Sequence, residues 1–391
     1  MLNLFVPDFC EAWQLPPRGS KVVLGMSGGV DSSSTAAILK AHGCEVIGVF
    51  IELLSSASVE AAKADAAKMA AFVGIDFDVI DYKREFECHV IAPFVNDYCN
   101  GKTPLPCSLC NRFIKFSALC SFADKVGAEA VSTGHYVQRR VCDGFQTLEP
   151  AVNSQRDQSY FLYRVEPQQL ARAYFPLGRA PSKPLVRNFA KQIGLGVAEK
   201  TNMYDICFLS DFGGNYVDFI NAYVQAHTEL AGSQALCQGD LIDIKTGKKI
   251  GEHKGAIHYT IGQRRGIGLS AEKPLYVVGI EGDHVYVGEK GALATKYVLI
   301  KDVVVHGIAS MVIPEYKHKT VDVLAQFRST GPTIPGTLTF NDARKEALVV
   351  FGEEQFGVAL GQAIVVRSGA GTVLAGGVIA EASLRQIPLV A

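Results

Sequence analysis

Lys21-Val-Val-Leu-Gly-Met-Ser-Gly-Gly-Val-Asp-Ser-Ser-Ser34 is the stretch from which the fold is read. Lys21 to Met26 is an apolar run of strand length. Ser27-Gly28-Gly29 breaks it, and a helical pattern follows through Ala36, Ala37, Ile38 and Leu39 to a glycine stop at Gly43. A strand, a glycine turn and a helix start in succession form an anion site. Free backbone N–H groups point into the turn, and the helix dipole adds roughly half a positive charge there. Gly28 and Gly29 allow close approach to the backbone, while Ser27, Ser32 and Ser33 offer hydroxyl donors. A tight turn with no ligand would not require two adjacent glycines flanked by serine and aspartate. No Gly-Lys-Ser/Thr closes the loop, so this is not a Walker phosphate loop.

Outward from the loop, Glu45 to Ile51 reads as a second strand. Ala61 to Val73 reads as a helix ended by Gly74, and Phe77 to Ile80 as a third strand. A helix is predicted over His89 to Cys99 and a loop from Asn100 to Leu109. Asn111 is placed to cap a helix from Arg112 to Val126. Ala130 to Thr133 is a fourth strand running into Gly134-His135-Tyr136. Strands alternating with helices predict an α/β fold with a doubly wound parallel sheet. Ligands on such sheets bind at the carboxyl ends of the strands, where the loop, Ile51 and Gly134 fall. Helical periodicity returns over Pro184 to Ile193 and Tyr216 to His227. From Ala231 to Gly291, short strand-like pieces alternate with glycines and with the basic pairs Lys248-Lys249, His253-Lys254 and Arg264-Arg265, a pattern expected of a small mixed domain. From about Lys296, short Val-, Ile- and Thr-rich runs between turns predict an antiparallel barrel. The expected domains are 1–212, 213–295 and 296–391, with no proline-rich linker between them.

Composition narrows the function classes. In 391 residues, 48% hydrophobic and 20% charged, a net charge of −1 gives no overall basic field, so nucleic acid would have to use local patches. No apolar run reaches membrane-span length, and the first twenty residues lack a basic start, so no membrane partner or signal peptide is expected. Ten scattered cysteines do not form a secreted disulfide framework. They point to a reducing cytoplasm, where cysteines are more often catalytic or metal-bound.

Cys107-Ser-Leu-Cys110-Asn111 falls in the predicted loop just before a helix N-terminus, a setting that favours thiolate. Cys207 follows the same nucleotide-binding segment. The remaining cysteines, Cys10, Cys44, Cys88, Cys99, Cys120, Cys142 and Cys237, read as small buried hydrophobes. A structural role for the 107/110 pair is the plain alternative. A zinc ribbon would want a second Cys-x-x-Cys, and a thioredoxin-type redox pair would want a strand before it. Arg156-Asp-Gln-Ser-Tyr-Phe161 is either a polar site or a helix cap. Gly266-Ile-Gly268 reads as a hairpin turn, and Arg264-Arg265 taken alone as a solvated face.

Two resemblances follow from these residues. Ser27-Gly-Gly-Val-Asp31-Ser32 resembles the pyrophosphate loop of enzymes that split ATP between the α and β phosphates to adenylate a carbonyl oxygen. Taken with Leu109-Cys-Asn111, Ile114-Lys-Phe116, Thr133-Gly-His-Tyr136, Asp157-Gln-Ser-Tyr-Phe-Leu162, Ile206-Cys-Phe208 and His258-Tyr-Thr-Ile-Gly-Gln-Arg264, the chain from Lys21 to the barrel resembles the tRNA-specific 2-thiouridylase family. The stretch Met1 to Ser20 lies outside it. The resemblance implies an ATP pyrophosphatase domain, a small central domain and a C-terminal β-barrel, and replacement of the wobble uridine 2-oxygen by sulfur. It places ATP on Gly25, Met26, Ser27, Gly28, Gly29, Val30, Asp31, Ser32, Ile51 and Gly134. It makes Cys110 the nucleophile and Cys207 the persulfide carrier. It assigns tRNA contacts to His135, to Arg156, Asp157 and Gln158, and to Arg328, Ser329 and Gln362. The family more often has lysine at 156 and an aromatic residue at 329. It also commonly has aspartate where this chain has Cys107.

The chemistry implied is adenylation of a poorly electrophilic C2 carbonyl with Mg²⁺, then attack by sulfur from a cysteine desulfurase, a relay protein or sulfide. With Cys107, Cys110 and Cys207 brought together, one expectation is a 4Fe–4S cluster held by three cysteines with an open iron. The other is a Cys207 persulfide that Cys110 attacks, closing a Cys110–Cys207 disulfide. Two readings from other classes are an amide or amidine synthetase built on the same loop, which needs no cysteines, and a nucleotide- and metal-binding module without turnover.

Overall fold

The computed structural model describes residues 4–142, 144–200, 206–227, 232–307, 320–341 and 345–387. Strands β1 (Lys21–Gly25), β2 (Glu45–Glu52), β3 (Asp76–Asp81) and β4 (Ala130–Ser132) lie in the N-terminal part. They are followed by a hairpin of β5 (Gln138–Cys142) and β6 (Phe145–Glu149) and by β7 (Ala173–Tyr174). The first sheet has the order β3-β2-β1-β4-β7, and every pairing is parallel. Val22, Val23 and Leu24 are fully buried because helices cover both faces of β1. The order reverses between β1 and β4, so the crevice of this doubly wound sheet opens where Ser27 and Gly134 emerge.

A four-stranded mixed sheet follows, made by β8 (Gly239–Asp243), β9 (Lys249–His253), β10 (Tyr276–Glu281) and β11 (His284–Gly288) in the order β10-β11-β8-β9. The C-terminal strands are β12 (Ala294–Val305), β13 (Thr320–Gln326), β14 (Ile334–Asn341), β15 (Glu346–Phe356), β16 (Ala363–Arg367) and β17 (Val373–Ser383). They form an antiparallel barrel that β12 and β17 close by pairing with each other. The β5–β6 hairpin joins this sheet, β6 pairing with β17 at Leu148 and Val373.

The three parts share cores. Val23, Phe116, Leu119, Tyr160 and Tyr163 pack in one cluster with Ala363, Val365 and Val373 of the barrel. Phe94, Cys110, Ile114, Phe208 and Phe219 pack in another with Leu241, Val277 and Val285 of the central sheet. A single helical segment, 106–126, therefore reaches both clusters.

That segment differs from the sequence reading. Helix begins at Pro106, a residue suited to a first turn, and Cys107 lies in that turn. Residues Cys110–Phe116 form a π-helical stretch and Ser117–Val126 continue as α-helix. Asn111 is thus inside the helix and caps nothing. Its Nδ2 donates to the Phe161 carbonyl at 3.0 Å. The preceding helix likewise starts earlier than expected, at Lys83, with a π turn over Glu87–Ile91 before Ala92–Cys99. Among the cysteines taken as buried hydrophobes, Cys44 is buried, whereas Cys88, Cys142 and Cys237 are exposed. Cys142 ends a hairpin strand and Cys237 follows a short 3₁₀ turn, so neither is on a core-facing position.

Candidate active site

The Ser27–Ser32 loop is built as an anion cradle. Gly28 has φ +69°, and a Cβ there would lie 2.4 Å from the Ala62 carbonyl of the neighbouring helix, so only glycine fits. Gly29 caps the helix Val30–His42 with an extended backbone, and Asp31 falls in its first turn. The Ser27 N–H donates to Ser32 Oγ at 3.2 Å, and the Ser33 hydroxyl donates to the Gly29 carbonyl at 2.9 Å. Gly134 closes the opposite wall, where a Cβ would come within 2.9 Å of the Ser32 nitrogen. Met26 and Gly25 continue β1 into the loop, the Met26 N–H donating to the Val49 carbonyl at 2.8 Å. Ile51 lies near the carboxyl end of β2 beside Ile80.

Sequence reasoning missed Lys183. Its ammonium is ion-paired and hydrogen-bonded to Asp31 Oδ1, and only 8% of its side chain is exposed. Tyr136 also donates to Asp31 Oδ1, at 2.8 Å. Burial pushes the Lys183 pKa down, and the Asp31 carboxylate works against that shift. Arg156 and Arg187 are close enough to bear electrostatically on both Lys183 and Tyr136. Lys183 thus pairs with the carboxylate of the loop, and Arg156 and Arg187 lie within electrostatic reach of that pair's ammonium. One sequence signal was available. Lys183 follows the capping Ser182 in the first turn of the helix Lys183–Gln192, where the helix dipole disfavours a cation unless an anion is near.

The second half of the site is the cysteine helix. Cys110 is 6% exposed, Cys107 is half-buried and Cys207, the first residue of a short 3₁₀ helix, is exposed. The three thiols bear electrostatically on one another. Thiolate is not favoured as the sequence suggested. Burial pushes Cys110 up to about 12 and raises Cys107 and Cys207, the Cys207 sulfur being shielded by protein although the residue as a whole is exposed. Lys115 is the cation that opposes this at all three thiols. In an α-helix Lys115 would lie about 140° around the axis from Cys110, whereas the i→i+5 bonding of the π stretch brings residues five apart onto one side. Among the described residues no carboxylate forms an ion pair with Lys115. Burial opposes its charge, thiolates at Cys110, Cys107 and Cys207 favour it, and the net shift is upward.

His135 joins the two halves. It follows Gly134 of the loop wall, stacks on Phe116 of the cysteine helix at 6.3 Å, and shares a 2.7 Å hydrogen bond with Thr133 Oγ1. Burial, aided by the Lys115 charge, lowers its pKa to about 3, so the ring is neutral near pH 7.

The residues assigned to tRNA are dispersed. Asp157 Oδ1 accepts from the Ala151 and Ser159 N–H groups, and Gln158 Oε1 accepts from the Tyr136 N–H at 2.8 Å. Both side chains are engaged within the chain. Arg328 and Ser329 are exposed on the barrel, with Arg328 donating to the Gly357 carbonyl at 2.8 Å. Gln362 Nε2 donates to the Thr103 carbonyl at 3.0 Å, and the Thr103 N–H donates to Leu360 O at 2.8 Å, so a barrel loop holds the segment leading into the cysteine helix. Of the basic pairs, Lys249 is paired with Asp240 and Glu252 and His253 is buried, while Lys248, Lys254, Arg264 and Arg265 face solvent.

Known proteins share this architecture. Residues 20–211 match the tRNA methyl transferase HUP domain, 228–289 the tRNA methyl transferase PRC-barrel domain, and 300–379 the aminomethyltransferase beta-barrel domain. The chain is 38% identical over 383 residues to the tRNA-specific 2-thiouridylase MnmA of Afipia carboxidovorans, a match spanning 94% of this chain and 93% of that one. It is 39% identical over 363 residues to MnmA of Methylorubrum extorquens, covering 90% of each chain. Among solved structures, the U34-tRNA thiolase NcsA from Methanococcus maripaludis, with its 4Fe–4S cluster, is similar over 54% of this chain and 68% of that one, at 18% identity and a TM-score of 0.33. A likeness that distant bears on none of the residues above. Identity at the level of the MnmA matches runs through all three parts of the molecule, and on that ground the chain belongs to the tRNA-specific 2-thiouridylase family.

Proposed function

We propose that this chain is an ATP-dependent tRNA uridine 2-sulfurtransferase, converting the wobble uridine to 2-thiouridine with release of AMP and pyrophosphate. The observation that carries this reading is the connection of the two half-sites. The cradle wall continues from Gly134 into His135, which stacks on the helix that bears Cys107, Cys110 and Lys115. Activation and sulfur transfer are then the work of adjoining residues.

Uridine C2 is a weak electrophile until its oxygen is adenylated. The loop N–H groups and Lys183, with Arg156 and Arg187 nearby, suit the departing pyrophosphate. Asp31 is the carboxylate that would hold Mg²⁺, in competition with its Lys183 partner. The metal would neutralise phosphate charge there. Exposed Cys207 suits loading with sulfane sulfur from a cysteine desulfurase or a persulfide-carrying relay protein, whereas free sulfide as donor would add to C2 directly and bypass the persulfide. Cys110 then attacks the inner sulfur of the Cys207 persulfide and closes a Cys110–Cys207 disulfide. The hydrosulfide released adds to C2 and AMP leaves. Lys115 offsets the negative charge these steps place in a buried pocket. A 4Fe–4S cluster would be held by Cys107, Cys110 and Cys207, and the steps above use Cys110 and Cys207 as thiols without it; among the described residues no set of three or more His, Cys, Asp and Glu side chains is arranged to hold a metal ion as the chain stands. Among the described residues no helix is long and apolar enough to cross a membrane, and a tRNA substrate fits a cytoplasmic protein.

The test is nucleoside mass spectrometry after incubation with unmodified tRNA, ATP and polysulfide. Formation of 2-thiouridine with stoichiometric AMP is expected, and ADP as the nucleotide product would overturn the reading.

A further inference from the structure

We propose that Cys107 is a resolving thiol. After each sulfur transfer it attacks Cys110 Sγ, moves the disulfide from Cys110–Cys207 to Cys107–Cys110, and returns Cys207 to the free thiol. This rests on the thiouridylase reading, in which sulfur release closes the Cys110–Cys207 bond.

Three observations carry it. The first is placement. Cys107 and Cys110 stand three residues apart at a helix start, between Pro106 and the π stretch. Residues at that spacing have Cβ atoms about 5–6 Å apart, and a disulfide needs about 3.5–4.5 Å. A movement of an ångström or two within a short first turn closes that gap, and Cys-x-x-Cys at a helix start is the spacing of dithiol exchange pairs. The second is a gradient of exposure. As whole residues Cys207 is exposed, Cys107 is half-buried and Cys110 is buried, although the Cys207 sulfur itself is partly shielded by protein. In a Cys110–Cys207 disulfide the Cys110 sulfur is shielded from an external reductant, whose attack at Cys207 would leave a mixed disulfide on the thiol that must meet the donor, while Cys107 lies one helical turn from Cys110 and within its electrostatic reach. The thiol that must meet the sulfur donor, Cys207, is the one this exchange releases. The third is charge. Lys115 acts on all three thiols, so a thiolate at any of them faces the same ammonium and the exchange moves negative charge without stranding it.

The step balances. The Cys107 thiolate supplies the electron pair of the new Cys107–Cys110 bond. The Cys110–Cys207 bond breaks with its pair on Cys207, which takes up the proton that Cys107 shed. Oxidation state is conserved. An external dithiol then supplies two electrons and two protons to the Cys107–Cys110 bond and becomes a disulfide.

The test uses the full chain loaded with inorganic polysulfide, one turnover with ATP and unmodified tRNA without reductant, acid quench, alkylation and peptide mass spectrometry. A Cys107–Cys110 bond with Cys207 alkylated is expected. Cys107→Ser should retain the Cys110–Cys207 bond and, with a dithiol present, give a burst of about one 2-thiouridine per chain followed by turnover at least ten-fold slower than wild type. Wild-type protein that makes 2-thiouridine but ends with Cys110–Cys207 linked and Cys107 alkylated overturns the resolving role and leaves the thiouridylase reading intact. Wild-type protein that makes no 2-thiouridine overturns both.

Discussion

At Lys183 two opposing effects meet. Burial and a helix N-terminus both disfavour the ammonium, and Asp31 retains it. A cation held at that cost beside a phosphate cradle is suited to a developing pyrophosphate. Lys183→Ala is expected to lower tRNA-dependent pyrophosphate release by about 100-fold or more, the scale of losing one preorganised charge-stabilising donor, while circular dichroism stays that of the wild type. His135 gives a prediction in pH. Its folded pKa of about 3 lies below the ordinary 6.5, so between those values the unfolded chain binds more protons than the folded one. Stability is therefore lost as pH falls through that window. His135→Gln should flatten the slope of unfolding free energy between about pH 4 and 6, by up to about 1.4 kcal/mol per pH unit, as read from urea titrations. The loop residues were legible because Gly and Ser types at a strand–helix junction specify their own backbone. Lys183 carried only the oddity of a cation in a helix first turn, because its role depends on a partner 152 positions away.

Among the elements, the helical segment 106–126 departs furthest from its sequence reading. The sequence suggested a loop from Asn100 to Leu109 and a cap at Asn111, yet Pro106 sits in a first turn and Asn111 spends its amide on Phe161. The π stretch follows no local propensity and is rare, so sequence periodicity gives no sign of it. It nonetheless sets Lys115 against the thiols. The approach to this helix is pinned by the barrel at Gly361, where φ is +85° and a Cβ would meet Lys102 Cβ at 3.0 Å and the Thr103 nitrogen at 3.1 Å. Gly361→Ala is expected to cost about 1–2 kcal/mol from left-handed strain, measured by chemical denaturation. Because the displaced segment leads to Cys107 rather than to the loop, 2-thiouridine formation should fall by a larger factor than pyrophosphate release. Equal losses in the two assays would contradict this.

For the molecule as a whole, shared cores make division costly. A fragment ending at Phe212 would leave Tyr160 and Tyr163 without Ala363, Val365 and Val373, and Phe94 and Phe208 without the central sheet. It is expected to be insoluble or to unfold without a cooperative transition, as monitored by light scattering and calorimetry. Binding of tRNA should weaken steeply with salt even though the net charge is −1, because solvent-facing Lys248, Lys254, Arg264 and Arg265 form local patches. Replacing Arg264 and Arg265 together by alanine should reduce the slope of log affinity against log salt by roughly one to two. An unchanged slope would remove those residues from the interface. The amino-acid sequence by itself determined the parallel sheet, the pyrophosphate loop and the C-terminal barrel, since strand alternation, glycine turns and helix stops are local and each residue carries its own conformational preference. Only the tertiary structure decided that residues 138–149 add a hairpin to the barrel sheet and that Lys183 faces Asp31. Those are pairings between distant segments, and they form because burying apolar surface in shared cores outweighs the entropy of closing the long loops between them.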